Sequence, residues 1–214
     1  MAEVPTYTTP WFWAAQALVV PPVRLVGRMR QTGRENLQEH GPLLVCCNHI
    51  SEVDPPAVGA AALPRKLFYM AKAELFEMPV LRSFLPRVGA YPVRRGAADR
   101  ENIRISRALL SRGEALLVFP EGTRHADGRL RPAHSGAGAL ALQEGVKVVP
   151  AAIWGSRSVF GPIRVIFGEP VDLTGTEGAS RSERARNASD AIMAEIAALL
   201  PRVGGPVQAP PRNG

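Results

Sequence analysis

The chain has 214 residues, 46% of them hydrophobic and 21% charged, the composition of an ordinary globular protein with room for one well-buried domain and too little for two of usual size. Its net charge of +7 calls for an anionic partner, yet no basic run interleaved with aromatics and no recognisable nucleic-acid module occurs. Phosphorylated substrates and anionic lipid therefore stand ahead of nucleic acid.

Residues 1–10 read as a polar, Pro-containing lead and residues 11–29 as an apolar helix broken near Pro21-Pro22. No stretch reaches the about 18 to 20 apolar residues of a membrane span. Trp11, Phe12 and Trp13 open the run that ends at Val20, and Arg24, Arg28 and Arg30 follow it. Aromatics at one end and arginines at the other suit a segment lying in a membrane interface; the alternative is that these aromatics cover the domain's core. A secretory signal would carry its charges before the apolar run. Residues 1–31 thus read as an N-terminal membrane-surface segment and residues 32–200 as the domain proper.

Leu43 to Cys47 reads as a buried strand with Cys46 and Cys47 packing on opposite faces. Two adjacent cysteines build neither a disulfide framework nor a metal set, and the four histidines lack ligand spacing, so a reducing cytosolic compartment is expected and a metal is not. The strand delivers Asn48-His49-Ile50-Ser51-Glu52-Val53-Asp54-Pro55. Imidazole takes up a proton near neutral pH, and an aspartate holding its other ring N–H fixes the tautomer and stabilises the imidazolium. Asp54 before Pro55-Pro56 equally reads as the N-cap of a helix over 55–63. Ser51 invites a Ser–His reading, but so short a spacing rarely aims a hydroxyl at its neighbour's ring.

A strand over Leu67–Ala71, a helix over 74–85 and a strand over Ala90–Val93 come next, the last leading into Arg94-Arg95, whose guanidinium forks match phosphate oxygens. After a helix over 98–112, the strand Ala115–Phe119 brings Pro120-Glu121-Gly122-Thr123-Arg124 to its carboxyl end, where ligands bind in open α/β sheets. A helix over 135–144, strands over Val146–Trp154 and Arg164–Phe167, and an amphipathic helix over Ser182–Leu200 complete the pattern. The apolar side of that last helix is Ala191, Met193, Ile196, Leu199 and Leu200. Pro201–Gly214 is Pro- and Gly-rich and expected to be disordered. The alternation predicts an α/β fold: one layered domain with a mixed, mostly parallel sheet flanked by helices, plus the N-terminal interfacial helical segment.

Taken together, these segments resemble the glycerolipid acyltransferase family, that of 1-acyl-sn-glycerol-3-phosphate acyltransferases. Asn48–Pro55 is similar to the family's first block, Gly89–Arg95 to the second, Phe119–Arg124 to the third, and Val149-Pro150 with Ala151–Gly155 to the fourth. Ala71–Phe76 also matches, and the resemblance covers roughly residues 32–170. Two departures bear on the acceptor more than on catalysis. Pro132-Ala133-His134-Ser135-Gly136 stands where the family often has Phe-Lys before glycine, and Lys72-Ala73 stands for paired lysines.

The resemblance implies transfer of a fatty acyl group from acyl-CoA or acyl-carrier protein to the free hydroxyl of 1-acyl-sn-glycerol 3-phosphate, giving phosphatidic acid, with no cofactor beyond the thioester co-substrate. His49 takes the hydroxyl proton and Asp54 orients it. A thioester already has a good leaving group, so one base and a place for the oxyanion nearly suffice, and no acyl-enzyme is required. Arg95 and Arg124, with Arg94 and Lys72 as further candidates, hold the acceptor phosphate, and Gly122 and Thr123 offer a backbone N–H and a hydroxyl. For each arginine the alternative is a solvated surface charge. Glu121 either meets the glycerol hydroxyl or pairs with an arginine, the pairing being the preferred reading. His40, His125 and His134 read as surface residues. Two rivals stay open: an acyltransferase on another lyso-lipid, a glycolipid or an acylated amino-acid lipid, and a non-catalytic membrane-surface protein, against which the intact His49 and Asp54 speak. The expected location is peripheral, on the cytoplasmic face of the cell membrane.

Overall fold

Six apolar runs and one short polar segment form the strands of a seven-stranded sheet: β1 (Arg30–Thr32), β2 (Leu43–Cys47), β3 (Leu67–Lys72), β4 (Ala90–Val93), β5 (Ala115–Val118), β6 (Lys147–Trp154) and β7 (Arg164–Phe167). The computed structural model describes residues 9–93, 99–158 and 161–211. Strand order is β1-β7-β6-β2-β5-β3-β4. Every pairing is parallel except β6 with β7, the mixed, mostly parallel sheet expected. The helices are α1 (Thr9–Leu25), α2 (Asp54–Ala62), α3 (Pro79–Phe84), α4 (Asp99–Ser111), α5 (Ser135–Ala141) and α6 (Arg181–Leu199). β2 lies centrally, with Val45 between Leu117 of β5 and Val149 of β6. Its continuous apolar run is what a strand covered on both faces requires. Leu44 and Cys46 join the core under α4, α5 and α6, whereas Leu43, Val45 and Cys47 join the core under α1 and α2. The cysteines are free and buried, and burial pushes the Cys46 thiol up to about 12, as packing residues require.

Four expectations need correction, and one strand, β1, goes beyond them. Pro21 and Pro22 do not break α1, which runs through them to Leu25. They fall in its last turn, and the Pro22 carbonyl still accepts from the Val26 N–H at 2.9 Å. The helix expected over 74–85 divides into a 3-10 turn (Ala73–Glu77), α3 and a second 3-10 turn (Leu85–Val88). The break falls before Pro79, which holds Met78 in an extended conformation with ψ 124°. β1 has no apolar run and is a short edge strand on β7. On α6 and at its C-cap the expected Met193, Ile196, Leu199 and Leu200 are buried, joined by Ala188 and Ile192, and only Ala191 of the expected side is half-buried. Ser180 caps this helix by accepting from the Glu183 N–H at 3.1 Å. Finally, residues 201–211 are placed rather than disordered. Leu200–Val203 forms a 3-10 turn, and Gln208 accepts from the Leu130 N–H at 2.9 Å and donates to the Gly128 carbonyl at 3.2 Å.

α1 has two faces. Phe12 and Ala15 are buried, as the core-covering alternative required, while Trp11 (59%), Trp13 (44%), Leu18 (72%) and Leu25 (77%) are exposed. The Lys66 ammonium lies 5.0 Å from the Phe12 ring and the Arg87 guanidinium 5.4 Å from the Trp11 ring, cation–π contacts that pin the helix to the domain. No helix among the described residues is long and apolar enough to cross a membrane.

Candidate active site

The carboxyl ends of β2, β5 and β6 lie side by side, and the loops that leave these three strands build one site. Past β2, the Asn48 side chain pairs with Ile153 of β6, its carbonyl accepting from the N–H at 2.8 Å and its amide donating to the C=O at 3.1 Å. The strand end is thereby held where His49 leaves it. His49 Nδ1 lies 2.8 Å from Asp54 Oδ2, and the same oxygen accepts from the Ile50 and Ser51 N–H groups at 2.6 and 2.7 Å. Asp54 opens α2 as its first residue, with Val53 at the N-cap and no side-chain cap bond. The carboxylate therefore points back to the histidine loop instead of capping the helix. Phe119 stacks on the imidazole at 4.0 Å with an 18° interplanar angle, which fixes the ring plane. With Nδ1–H committed to Asp54, Nε2 is the basic nitrogen.

Main-chain bonds from the segment after β5 hold His49 from behind. Its N–H donates to Glu121 Oε1 at 3.2 Å and its carbonyl accepts from the His125 N–H at 2.8 Å. The second Glu121 oxygen accepts from the Arg131 N–H at 2.9 Å. Glu121 is buried, and among the described residues no arginine side chain forms the ion pair expected of it; the His49 and Arg131 backbone N–H groups bond its two oxygens instead. Burial pushes its carboxyl up to about 7, opposed less strongly by the bonds from Arg131 and His49. His125, expected at the surface, is half-buried, with Nε2 at 4.0 Å from Glu121 Oε2.

The raised carboxyl makes a prediction. The folded chain binds this proton more tightly than the unfolded chain, so the stabilisation is full below about 4.5 and is lost as pH rises through about 7. The loss is on the order of 3 kcal/mol across that window. Glu121→Gln cannot ionise and should flatten the fall of melting temperature between pH 4.5 and 7. Parallel slopes in the two proteins would show that Glu121 titrates as an ordinary carboxylate.

In front of His49 opens a cavity of about 1010 Å³. His49, Lys72, Gly122, Thr123 and Arg124 line one part of it, and the inner face of α1 (Phe12, Val19, Val23) with Leu85 and Val88 lines the apolar remainder. Arg124 pairs with the exposed Glu52 at 2.5 Å. The Gly122 N–H is not available as expected, since it donates to the Phe119 carbonyl at 3.0 Å. Gly122 has φ +70°, a left-handed conformation that favours glycine. His134 and His40 are exposed, as expected. Arg94 and Arg95 lie outside the described residues; β4 ends at Val93, which lines the cavity. The Ser51 hydroxyl donates to the Ser156 carbonyl at 3.0 Å and not to the His49 ring. Among the described residues no group of three or more metal-ligating side chains occurs.

Sequence reasoning missed Asn48, His125 and Ser156 as parts of this site. Asn48 and His125 stand inside or beside the recognised blocks, a signal that was present, whereas Ser156 lies one residue beyond the fourth block.

A histidine held by a buried carboxylate thus faces a largely apolar cavity whose lining also includes Lys72 and Arg124. The profile of the acyltransferase family matches residues 28–154, and the chain belongs to that family. It is similar to a 1-acyl-sn-glycerol-3-phosphate acyltransferase of Bacillus subtilis, 32% identical over 180 residues, covering 82% of this chain and 89% of the relative. A lyso-ornithine lipid O-acyltransferase of Pseudomonas aeruginosa is 39% identical over 114 residues, covering 52% of this chain and 43% of that one. The crystal structure of a 1-acyl-sn-glycerophosphate acyltransferase from Thermotoga maritima superposes with a TM-score of 0.61 at 24% identity, covering 87% and 82% of the two chains, a likeness in fold.

Proposed function

We propose that the protein transfers a fatty acyl group from an acyl thioester, acyl-CoA or acyl-carrier protein, to the free hydroxyl of 1-acyl-sn-glycerol 3-phosphate, forming phosphatidic acid for phospholipid biosynthesis. The observation that carries this reading is that His49, its Nδ1 held by Asp54, lines a largely apolar cavity together with Lys72 and Arg124. Nε2 takes the proton of the acceptor hydroxyl as its oxygen attacks the thioester carbon, Asp54 stabilises the imidazolium, and the thiolate leaves and is protonated. Acyl chain packs in the apolar part, and Arg124 and Lys72 meet the phosphate. The Arg124–Glu52 pair is exposed on the Glu52 side and is worth at most about 1 kcal/mol, so a phosphate displaces it readily.

A second acceptor is favoured by two observations: the higher identity to the Pseudomonas lyso-ornithine lipid enzyme over the matched segment, and Ala73 and His134 at positions where the family pattern often has lysine. A mass-spectrometric panel of lyso-acceptors with both thioester donors separates the readings. Lysophosphatidate should be acylated fastest; faster acylation of lyso-ornithine lipid would move the acceptor assignment, and no transfer to any lyso-lipid would contradict both.

The proposed reaction takes place at a bilayer surface, because acceptor and product are bilayer lipids. The exposed Trp11, Trp13, Leu18 and Leu25 of α1 are the contact, with Arg28 and Arg30 exposed beyond. Arg24 donates to the Ala60 carbonyl at 3.3 Å and adds less. Deleting α1 would remove Phe12 and a wall of the cavity, so the cleaner test replaces all four apolar residues with serine. Vesicle co-sedimentation should fall while activity on a short-chain soluble acceptor persists; undiminished sedimentation would place the contact elsewhere.

A further inference from the structure

Ser156 comes after β6 and lies 102 positions from Asp54. It is 4% exposed. Its hydroxyl donates to Asp54 Oδ1 at 2.5 Å, and its carbonyl accepts from the Ser51 hydroxyl at 3.0 Å, which in turn accepts from the Val53 N–H at 3.2 Å. The residue thus grips the histidine loop at two points. The preceding Gly155 has φ +85°, and a Cβ there would stand 2.2 Å from the Pro162 carbonyl oxygen, so the turn that aims Ser156 inward is open only to glycine.

The two Asp54 oxygens are unequally served. Oδ2 accepts from His49 Nδ1 and from two backbone N–H groups, whereas among the described residues only Ser156 donates to Oδ1. The other buried serines serve structure. Ser106 meets Tyr91 and the Asn102 carbonyl, and Ser189 joins Gly138 to the His134 carbonyl. Ser156 alone among them ends on the carboxylate behind the base.

We propose that Ser156 is a positioning residue for acyl transfer: its hydroxyl fixes the rotation of the Asp54 carboxylate, and so the tautomer and aim of His49. The inference rests on the assignment of His49 as base. A carboxylate anchored at both oxygens presents one fixed lone pair to Nδ1–H. Without the Ser156 hydroxyl, Oδ1 is buried and unpaired, and the carboxylate turns toward any other donor, drawing the imidazole off line.

The test compares kcat and KM for Ser156→Ala, Ser156→Thr, Asp54→Asn and the double variant Ser156→Ala/Asp54→Asn, with His49→Ala in parallel. Loss of one charge-assisted bond to the carboxylate should lower kcat roughly tenfold with KM for both substrates within about twofold, and Ser156→Thr, which keeps the hydroxyl, should restore most of it. In the Asp54→Asn background the same alanine should change kcat by less than about threefold, because the charge it serves is gone. Equal losses in both backgrounds, or wild-type kcat in Ser156→Ala beside an inactive His49→Ala, overturns the proposal alone. Activity in His49→Ala overturns the base assignment and this inference with it. Should the alanine variant fold poorly, Ser156→Cys, nearly isosteric with a weak donor, must show the same kcat loss in its soluble form.

Discussion

His49→Ala should lower turnover by roughly 10² to 10⁴, the contribution of a positioned general base, with the melting temperature changed by only a few degrees. Among the described residues the His49 ring is the side chain that both bonds the Asp54 carboxylate and lines the cavity. Its loss costs little in folding, because these bonds hold the loop without the imidazole: the His49 N–H on Glu121, its carbonyl on His125, and the Asn48 side chain on Ile153. Initial rates of acyl transfer and a thermal melt on the same preparation check both halves. A variant with wild-type turnover would remove His49 from the mechanism; a collapsed melt would make it a structural histidine.

Asp54 separates chemistry from folding through two substitutions. Asp54→Asn keeps an oxygen for the Ile50 and Ser51 N–H groups but removes the charge that stabilises the imidazolium and sets the tautomer, and turnover should fall by roughly 10² or more. Asp54→Ala strands those two N–H groups, which lie under a fully buried side chain. Each unpaired buried donor costs about 1 to 3 kcal/mol, so this variant should also lose several degrees of melting temperature. Equal stability losses in the two variants would mean that the charge, and not the backbone bonds, holds the loop.

What was legible in the sequence was local. β2, β5 and β6 are short apolar runs whose period and length announce buried strands, and the residues after each fall at the strand ends by necessity. His49 and Asp54, five residues apart, could be read because the chain need only make one turn to join them. Illegible features depend on distant partners. Glu121 carries no mark that its oxygens will meet backbone N–H groups 72 and 10 residues away. Gln208 lies in a Pro- and Gly-rich tail whose composition argues for disorder, yet a single amide pairs with two backbone groups of the 128–130 turn. The segment over 74–85 reads as one helix, but Pro79 interrupts it, and backbone sterics override the pattern.

The central claim is direct transfer from a thioester to a lysophospholipid hydroxyl at His49. It is tested most directly by incubating the full chain with an isotopically labelled acyl thioester and lysophosphatidate, tracking diacylated lipid and free thiol together by mass spectrometry. Direct transfer predicts label in phosphatidate at the rate of thiol release, one for one, with no labelled protein accumulating at any time. Thiol release without acylated lipid, or a labelled protein that forms before the lipid does, would contradict it.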